Sequence, residues 1–450
     1  MASVYKYMSL LRRPKKIIKL PPSIYSLTPP CLNEIFDYLS LKELHSFGVT
    51  CKKFQKIAGE YFQRTYRSTE LRCAFDGIYA CSDVSCNGQV SGFNQYIEHV
   101  SIHGNRIADE ELDIFNYMKL NCNESLRKLQ LLDVAITKRM VKMLRKNLKK
   151  IEVLEIDSCT MNGKLHRDLL RFCPNLKRLI VRRFGGNIKW LKKVYPKLEH
   201  LEIYQIGFKV DQLKKFFDRN KTIRSFSVDA NCLWQNEDSI LNANVKLDDL
   251  IVDIYGWEFR IDSIIRLLNR LYEQNFYKHL HLYAPYTDQP TTEQIAALQG
   301  LYKLYLTNYI AYAIFLPHLN DLRELSLRSC PEFFETEILA AKFVSLQCVF
   351  FEQANLSDIL PFVHRLVNLE KINVDHFKNE DKSNLIVDLQ TMNDEREKLF
   401  GAHKVTIFVE ENVYLYTKWA MKSTNLTFVE LKRSESYEWS HHFEYSHRSC

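Results

Sequence analysis

The chain has 450 residues, 46% hydrophobic and 26% charged, with only 13 Gly and 12 Pro. Those fractions exclude wholesale disorder and collagen-like or linker-rich designs, and the length allows several domains or one domain with a repeat array. Sixty-two Lys and Arg against 54 Asp and Glu give a net charge of +8, which points to a nucleic-acid or membrane partner only if the excess is spread along the chain.

It is not spread. Residues 1–19 carry six basic groups, from Lys6 to Lys19, and no acid; residues 20–67 add a further net +2. Residues 68–450 hold 50 basic and 50 acidic groups, so the composition predicts no nucleic-acid partner. Residues 1–22 read as a basic flexible leader, with Arg12–Lys16 as a nuclear import signal or a solubilising tail. The apolar pair Ile17-Ile18 is far short of a secretory core. No window approaches 18 uninterrupted apolar residues, so no membrane partner is expected. Twelve dilute cysteines suit reduced thiols in the cytoplasm or the nucleus.

Residues 23–67 read as a small helical module. Thr28 can cap a helix with Pro29 at its first position, and Leu32, Ile35, Phe36 and Leu39 form one apolar stripe. Ser40-Leu41-Lys42-Glu43 is a capping-box pattern opening a second helix through Leu44 and Phe47. A third runs from Cys51 through Phe54, Ile57, Ala58, Tyr61 and Phe62. Three short helices cannot bury all of this apolar surface alone, so part meets a partner or packs on the chain that follows. The segment from Leu27 to Phe54 resembles an F-box: Leu27, Leu32, Ile35, Phe36, Tyr38, Leu39, Leu44, Cys51, Lys52 and Phe54 match in type and spacing. It departs at Thr28, Pro30 and Thr50, where Pro, Glu and Val are usual.

From residue 126 a second pattern takes over, an apolar residue, two variable ones, an apolar, one variable and an apolar. It reads Leu126/Leu129/Leu131, then Ile151/Leu154/Ile156, Leu176/Leu179/Val181, Leu198/Leu201/Ile203 and Ile223/Phe226/Val228. It continues through Leu247, Tyr277, Leu301, Leu322, Leu346 and Leu369 at a mean step of about 24 residues. An irregular first copy falls at Ile97/Val100/Ile102, and Val405/Ile407/Val409 and Leu426/Val429/Leu431 read as the last strands. Between strands, stretches such as Val210–Phe217 and Ile261–Leu271 have helical apolar spacing, with Asp211 and Asp262 as candidate caps.

The pattern resembles leucine-rich repeats. Together with the helical module it is similar to the F-box/leucine-rich-repeat family, substrate receptors of SCF (Skp–cullin–F-box) ubiquitin ligases. The resemblance implies an α/β horseshoe solenoid of about 11–13 repeats over residues 68–435, a three-helix F-box over 23–67 and a tail over 436–450. It also implies a non-enzymatic adaptor without a cofactor. The F-box would dock the Skp adaptor, and through it the cullin, by Leu27, Leu32, Ile35, Phe36, Leu39, Leu44, Cys51 and Phe54. About half of these serve instead as the module's own core on the alternative reading. In such repeats a Cys or Asn three residues past the strand ties the turn; Cys159, Cys330 and Asn231 stand there, and Phe184, Ile206, Tyr255 and Tyr309 depart.

A protein substrate would meet the concave face, whose variable strand positions in the middle repeats are Glu155, Asp157, Glu202, Asp229 and Asp253, with Arg178, Arg182 and Tyr204 among them. Later repeats offer His281, Tyr283, Tyr305, Arg328, Phe350 and Glu352. The expected surface is acidic and then aromatic, attractive to a basic protein segment. A scaffold independent of ubiquitin ligases is the competing reading. Cys73, Cys81 and Cys86 with His99 and His103 have no zinc-ligand spacing, and no metal is expected. The sequons at Asn123, Asn220 and Asn425 read as chance matches.

Overall fold

The computed structural model describes residues 23–67, 69–74, 77–81, 91–104, 125–161, 163–185, 187–206, 212–254, 261–284, 294–306, 319–328, 333–378, 386–421 and 426–434. The expected leader and tail, and Cys86, Asn123, Asp211, Tyr255, Tyr309, Cys330 and Asn425, lie outside them.

Helices α1 (Pro29–Phe36), α2 (Leu41–Gly48) and α3 (Lys52–Thr65) form the N-terminal module. The capping box of α2 is present: Ser40 N donates to Glu43 Oε2 at 2.9 Å and Glu43 N to Ser40 Oγ at 3.3 Å. Thr28 stands at the cap of α1 without a capping bond, its hydroxyl turned to Cys31 Sγ instead. Two prolines at the start of α1 supply no N–H to cap.

A 16-stranded sheet follows, in which the strands from β3 onward run parallel and lie in sequence order. Its strands are β1 (Glu70–Ala74), β2 (Gly77–Cys81), β3 (His99–His103), β4 (Lys128–Leu132), β5 (Val153–Asp157), β6 (Arg178–Arg182), β7 (His200–Tyr204) and β8 (Ser225–Asp229). They continue as β9 (Leu247–Asp253), β10 (Tyr277–Ala284), β11 (Leu301–Leu306), β12 (Glu324–Leu327), β13 (Cys348–Ala354), β14 (Lys371–Phe377), β15 (Val405–Val409) and β16 (Val429–Arg433). Every predicted repeat carries its strand. The hairpin β1–β2, antiparallel within itself and parallel to β3 through β1, was not marked by the pattern.

Helical segments cross between strands: α4 (Lys138–Leu148), α5 (Leu165–Asp168), α6 (Gln212–Arg219), α7 (Ala230–Gln235), α8 (Glu237–Leu241) and α9 (Ile261–Glu273). Then come α10 (Phe333–Lys342), α11 (Leu356–Arg365), α12 (Leu389–Glu397) and α13 (Glu411–Ala420). The molecule is thus a three-helix module followed by an α/β solenoid. Leu129, Leu154, Leu179, Leu201, Phe226 and Leu250 pair across successive strands and are fully buried. One repeat cannot bury such a row; stacking does.

Two irregularities are systematic. Asp133, Ser158, Arg183 and Gln205, each just past its strand in four consecutive repeats, have φ between 44° and 55°. The turn therefore needs left-handed backbone without using Gly. Between β10 and β11 the pairing slips, Leu280 facing Leu301 and Leu282 facing Leu304. From His281 onward this is a two-residue shift relative to the repeat pattern, which keeps those side chains on their faces, and a bulge between Leu280 and His281 absorbs the extra residue before it.

The sheet's two ends meet the same helical module. At the first end Phe62 stacks on Phe93 and Gln63 donates to Glu98 at 3.0 Å. At the other end Arg433 of β16 donates to Tyr61 Oη at 2.9 Å and to the carbonyls of Asp37 and Leu39 at 3.1 and 2.8 Å.

Candidate protein-interaction surfaces

The eight adaptor candidates divide by burial. Leu32, Phe36 and Leu44 are fully buried and Phe54 nearly so, forming the module's own core with Ile57, Ala58 and Tyr61. The aromatic rings hold one another: Phe36 meets Phe47 at 5.3 Å and Tyr61 at 5.4 Å, and Phe47 meets Phe54 at 4.5 Å. Leu27, Leu39 and Cys51 pack half-buried against this core, and the Cys51 thiol caps α3 through Phe54 N. Ile35 alone of the eight is exposed. Sequence reasoning gave no docking role to the module's other exposed apolar side chains, Ile24, Tyr25, Tyr38 and Val49, of which only Tyr38 stood among the matched positions. Residues one turn apart on α1, Leu32 inward and Ile35 outward, cannot be told apart by apolar character alone.

Helix α13 closes against this module. Glu411 accepts from Leu41 N at 3.0 Å and from the Tyr66 hydroxyl, and Trp419 Nε1 donates to Tyr38 O at 3.3 Å. Arg433 lies 4.4 Å over the Tyr414 ring and 3.7 Å from Glu411. Burial drives the Tyr61 and Tyr66 phenols well above their usual range, so both stay protonated donors. A cavity of about 530 Å³ opens at the seam, lined in part by Asp37, Arg64, Tyr414, Lys418 and Arg433.

On the sheet face turned away from the helices, the substrate candidates form in-register rows. One runs Asp157–Arg182–Tyr204 and, from the next strand, Asp229–Asp253–Tyr283–Tyr305. It continues Ser326–Phe350. None of the fourteen is in the exposed class, and Glu155, Asp157, Arg182, Glu202, Asp253, His281, Tyr283, Tyr305 and Phe350 are buried.

The expected free acidic patch is not what β5–β7 present, because Glu155, Asp157 and Glu202 are paired there with Arg182 and Arg183. Arg182 donates to Glu155 at 2.7 Å and to Glu202 at 2.6 Å, and Arg183 grips Asp157 with two bonds of 2.9 Å. Burial works against the Glu155 carboxylate, but Arg182 and Lys128 and the Gln130 amide outweigh it and hold its pKa below the ordinary value. Asp253 accepts from the Tyr204 hydroxyl at 2.9 Å, and Asp229 caps α7 through Cys232 N at 2.7 Å.

Arg178 is half-buried, and Arg328 pairs with Glu352 at 3.1 Å, both half-buried. Tyr283 and Tyr305 pack ring on ring at 4.9 Å beside Ile251. Along the row the acids precede the aromatics, and at its first strands, β5–β7, the charges form a buried ion-pair lattice. Such a lattice costs desolvation and rewards a single arrangement, so it orders the repeats rather than offering open charge.

Cys159 fills the turn position as expected, fully buried with its thiol 3.2 Å from Leu131 O of the preceding repeat. Burial pushes its pKa up to about 12, which leaves an unreactive thiol. Phe184 and Ile206 fill that place by packing. Asn231 departs: it lies exposed on α7, accepting from Gln235. Asn220 of the second sequon is buried and bonded to Tyr195 N, Lys193 O and Phe216 O, so it cannot accept a glycan while folded. Among the described residues no group of three His, Cys, Asp or Glu is placed to hold a metal ion.

A family model for the F-box domain matches residues 24–60, which are α1, α2 and most of α3. An F-box is a non-catalytic protein-interaction module. No curated protein matches the chain.

Proposed function

We propose that the chain is the substrate receptor of an SCF-type ubiquitin ligase, its F-box docking a Skp adaptor and thereby a cullin, its solenoid being leucine-rich repeats that recruit a protein for ubiquitination. The observation carrying this reading is the F-box match on a module whose core is filled by Leu32, Phe36, Leu44 and Phe54 while Ile24, Tyr25, Ile35, Tyr38 and Val49 remain outside. A small module that closes its own core and still exposes five large apolar groups has surface for a partner. The docking residues among the eight candidates are then Ile35 with the half-buried Leu27, Leu39 and Cys51. Leu32, Phe36, Leu44 and Phe54 act by holding α1–α3 together. The row from Asp157 to Phe350 remains the proposed place for a substrate, with Tyr204 and Asp229 its half-buried members and Arg328 and Glu352 half-buried beyond its far end.

The test is co-purification of the full chain with Skp and cullin. Ile35→Asp is expected to weaken adaptor binding tenfold or more without lowering the melting temperature, because the side chain is already at the surface. Phe36→Asp unfolds the module and cannot serve. Unchanged adaptor affinity in folded Ile35→Asp, with Tyr38→Asp behaving the same way, refutes the assignment.

One observation favours a second reading, a scaffold in which the F-box only caps the solenoid: Arg433 and Glu411 tie the module to the last repeats. That reading predicts a stable chain that captures neither Skp nor cullin.

A further inference from the structure

The balance of 50 basic and 50 acidic groups beyond residue 67 hides a strong segregation. Residues 138–197 hold eighteen Lys and Arg against four Asp and Glu, a net +14. The structure puts half of these cations on one surface, the helix-lined side of four consecutive repeats. Lys138, Lys142 and Lys146 form an exposed stripe at four-residue spacing on α4. Lys164, Arg167 and Arg171 follow on α5 and the turn after it, then Lys189, Lys192 and Lys193 on the 3-10 segment Ile188–Lys192 and its cap. Lys215, Arg219 and Lys221 continue on and beyond α6.

These segments touch in sequence. Arg145 of α4 lies 5.0 Å over the Phe172 ring, and Asn220 after α6 donates to Lys193 O at 3.0 Å. The acids on the surface are already occupied: Asp168 by Arg167 at 2.7 Å, and Asp218 by Lys221 at 3.7 Å. Lys138, Lys142, Lys146, Lys189, Lys192 and Lys193 make no ion pair among the described residues. Between α5 and the 3-10 segment lies a cavity of about 370 Å³ walled by Lys164, Arg171, Lys189 and Lys193. Trp190 also lines it, 1% exposed, its Nε1–H without a partner among the described residues. His166 at the wall is held below its usual pKa by burial and then by Lys193 and Arg171, which reports the local positive potential.

The chemistry of the occupant follows from what the surface lacks. From 138 to 221 the only exposed large apolar side chain among the described residues is Val194. A protein partner would want aromatic or aliphatic anchors, a membrane would want apolar groups to insert, and a single nucleic-acid strand would want exposed rings to stack on. A double helix wants cations, with one phosphate charge per about 1.7 Å. The eleven residues of α4 are about 16 Å long, and four adjoining segments at about 10 Å spacing span about 30 Å, close to one turn of duplex.

We propose that this outer face, residues 138–221, binds the phosphate backbone of a nucleic-acid double helix without reading its bases, with the Trp190 cavity seating one phosphate. The inference stands apart from the F-box reading.

Fluorescence anisotropy of the full chain with labelled duplex DNA and duplex RNA of about 20 base pairs, over about 50–200 mM salt, tests it. Either duplex is expected to bind, with log affinity falling linearly in log salt, and the relative affinities identify the source. Lys138→Gln/Lys142→Gln/Lys146→Gln is expected to weaken binding tenfold or more at low salt and to flatten the slope by about 2.7 for DNA, as three lost phosphate contacts require. Lys189→Gln/Lys192→Gln/Lys193→Gln, on a separate segment, is expected to do the same. A chain lacking residues 1–22 is expected to keep the slope. The proposal is overturned if neither duplex binds at about 50 mM salt, if both triple variants bind as the parent does, if binding vanishes with residues 1–22, or if polyglutamate of matched charge or a single strand outcompetes the duplex.

Discussion

Among the described residues Arg396 has no carboxylate partner, and it is nonetheless fully buried on α12, donating to the carbonyls of His403, Val363, Leu366, Val367 and Leu369. Three of these close the C-terminal end of α11, where carbonyls have no helical partner. Burial brings the guanidinium down to about 10, still fully charged at neutral pH. Arg396→Met would keep the volume and leave the carbonyls bare, so a loss of about 3 kcal/mol or more is expected, read as a lower urea midpoint for the C-terminal repeats. Histidines give the opposite kind of signal. Burial is the first cause lowering the pKa of His45, His103, His166 and His281. The unfolded chain therefore takes up protons first as pH falls. Stability from these groups is complete above about pH 6.5 and declines below it, until their folded values are passed. A urea midpoint that does not drop between pH 7.5 and 5.5 would contradict this.

Among elements, the repeated turn after the strand is the informative one. Asp133, Ser158, Arg183 and Gln205 all adopt left-handed backbone, a conformation that costs L-residues about 1–2 kcal/mol each. Gly at such a position avoids that cost and loses part of it back as unfolded-state entropy. Gln205→Gly is therefore expected to stabilise by about 0.5 kcal/mol and Gln205→Val to destabilise, both measurable as shifts in thermal midpoint. The sequence hides this turn because turn-prone Gly and Asn are absent from the position. It displays other elements openly: the Ser40–Glu43 box, the α9 stripe of Ile261, Ile264, Leu268 and Leu271, and each strand's apolar pair were all legible. Hairpin β1–β2 was not, because its pairing is set by a neighbouring strand rather than by its own periodicity.

In the whole molecule the decisive contact joins residues almost 400 positions apart, Asp37 and Leu39 with Arg433. A solenoid ordinarily leaves its terminal units least supported; here one helical module braces both. Arg433→Ala is expected to leave the strands β4–β9 protected while α1–α3 and α13 exchange amide hydrogens faster, by tenfold or more. Unaltered exchange there would mean that packing alone closes the seam. If the F-box reading holds, the same contact fixes the angle between adaptor and solenoid, and the variant should blur that geometry without abolishing adaptor capture.

By itself the sequence determined the repeat, its period and the existence of a separate helical module, since periodicity of 2 and 3.6 is a property of neighbouring residues. It also carried the segregated charge of residues 138–197, which averaging over 383 residues concealed. Only the tertiary structure decided which apolar residues face out, that Glu155, Glu202 and Asp157 are held by Arg182 and Arg183, and that scattered cations share one face. Burial and pairing depend on which strands and helices become neighbours, and residues 20–30 positions apart meet only once the repeats have stacked.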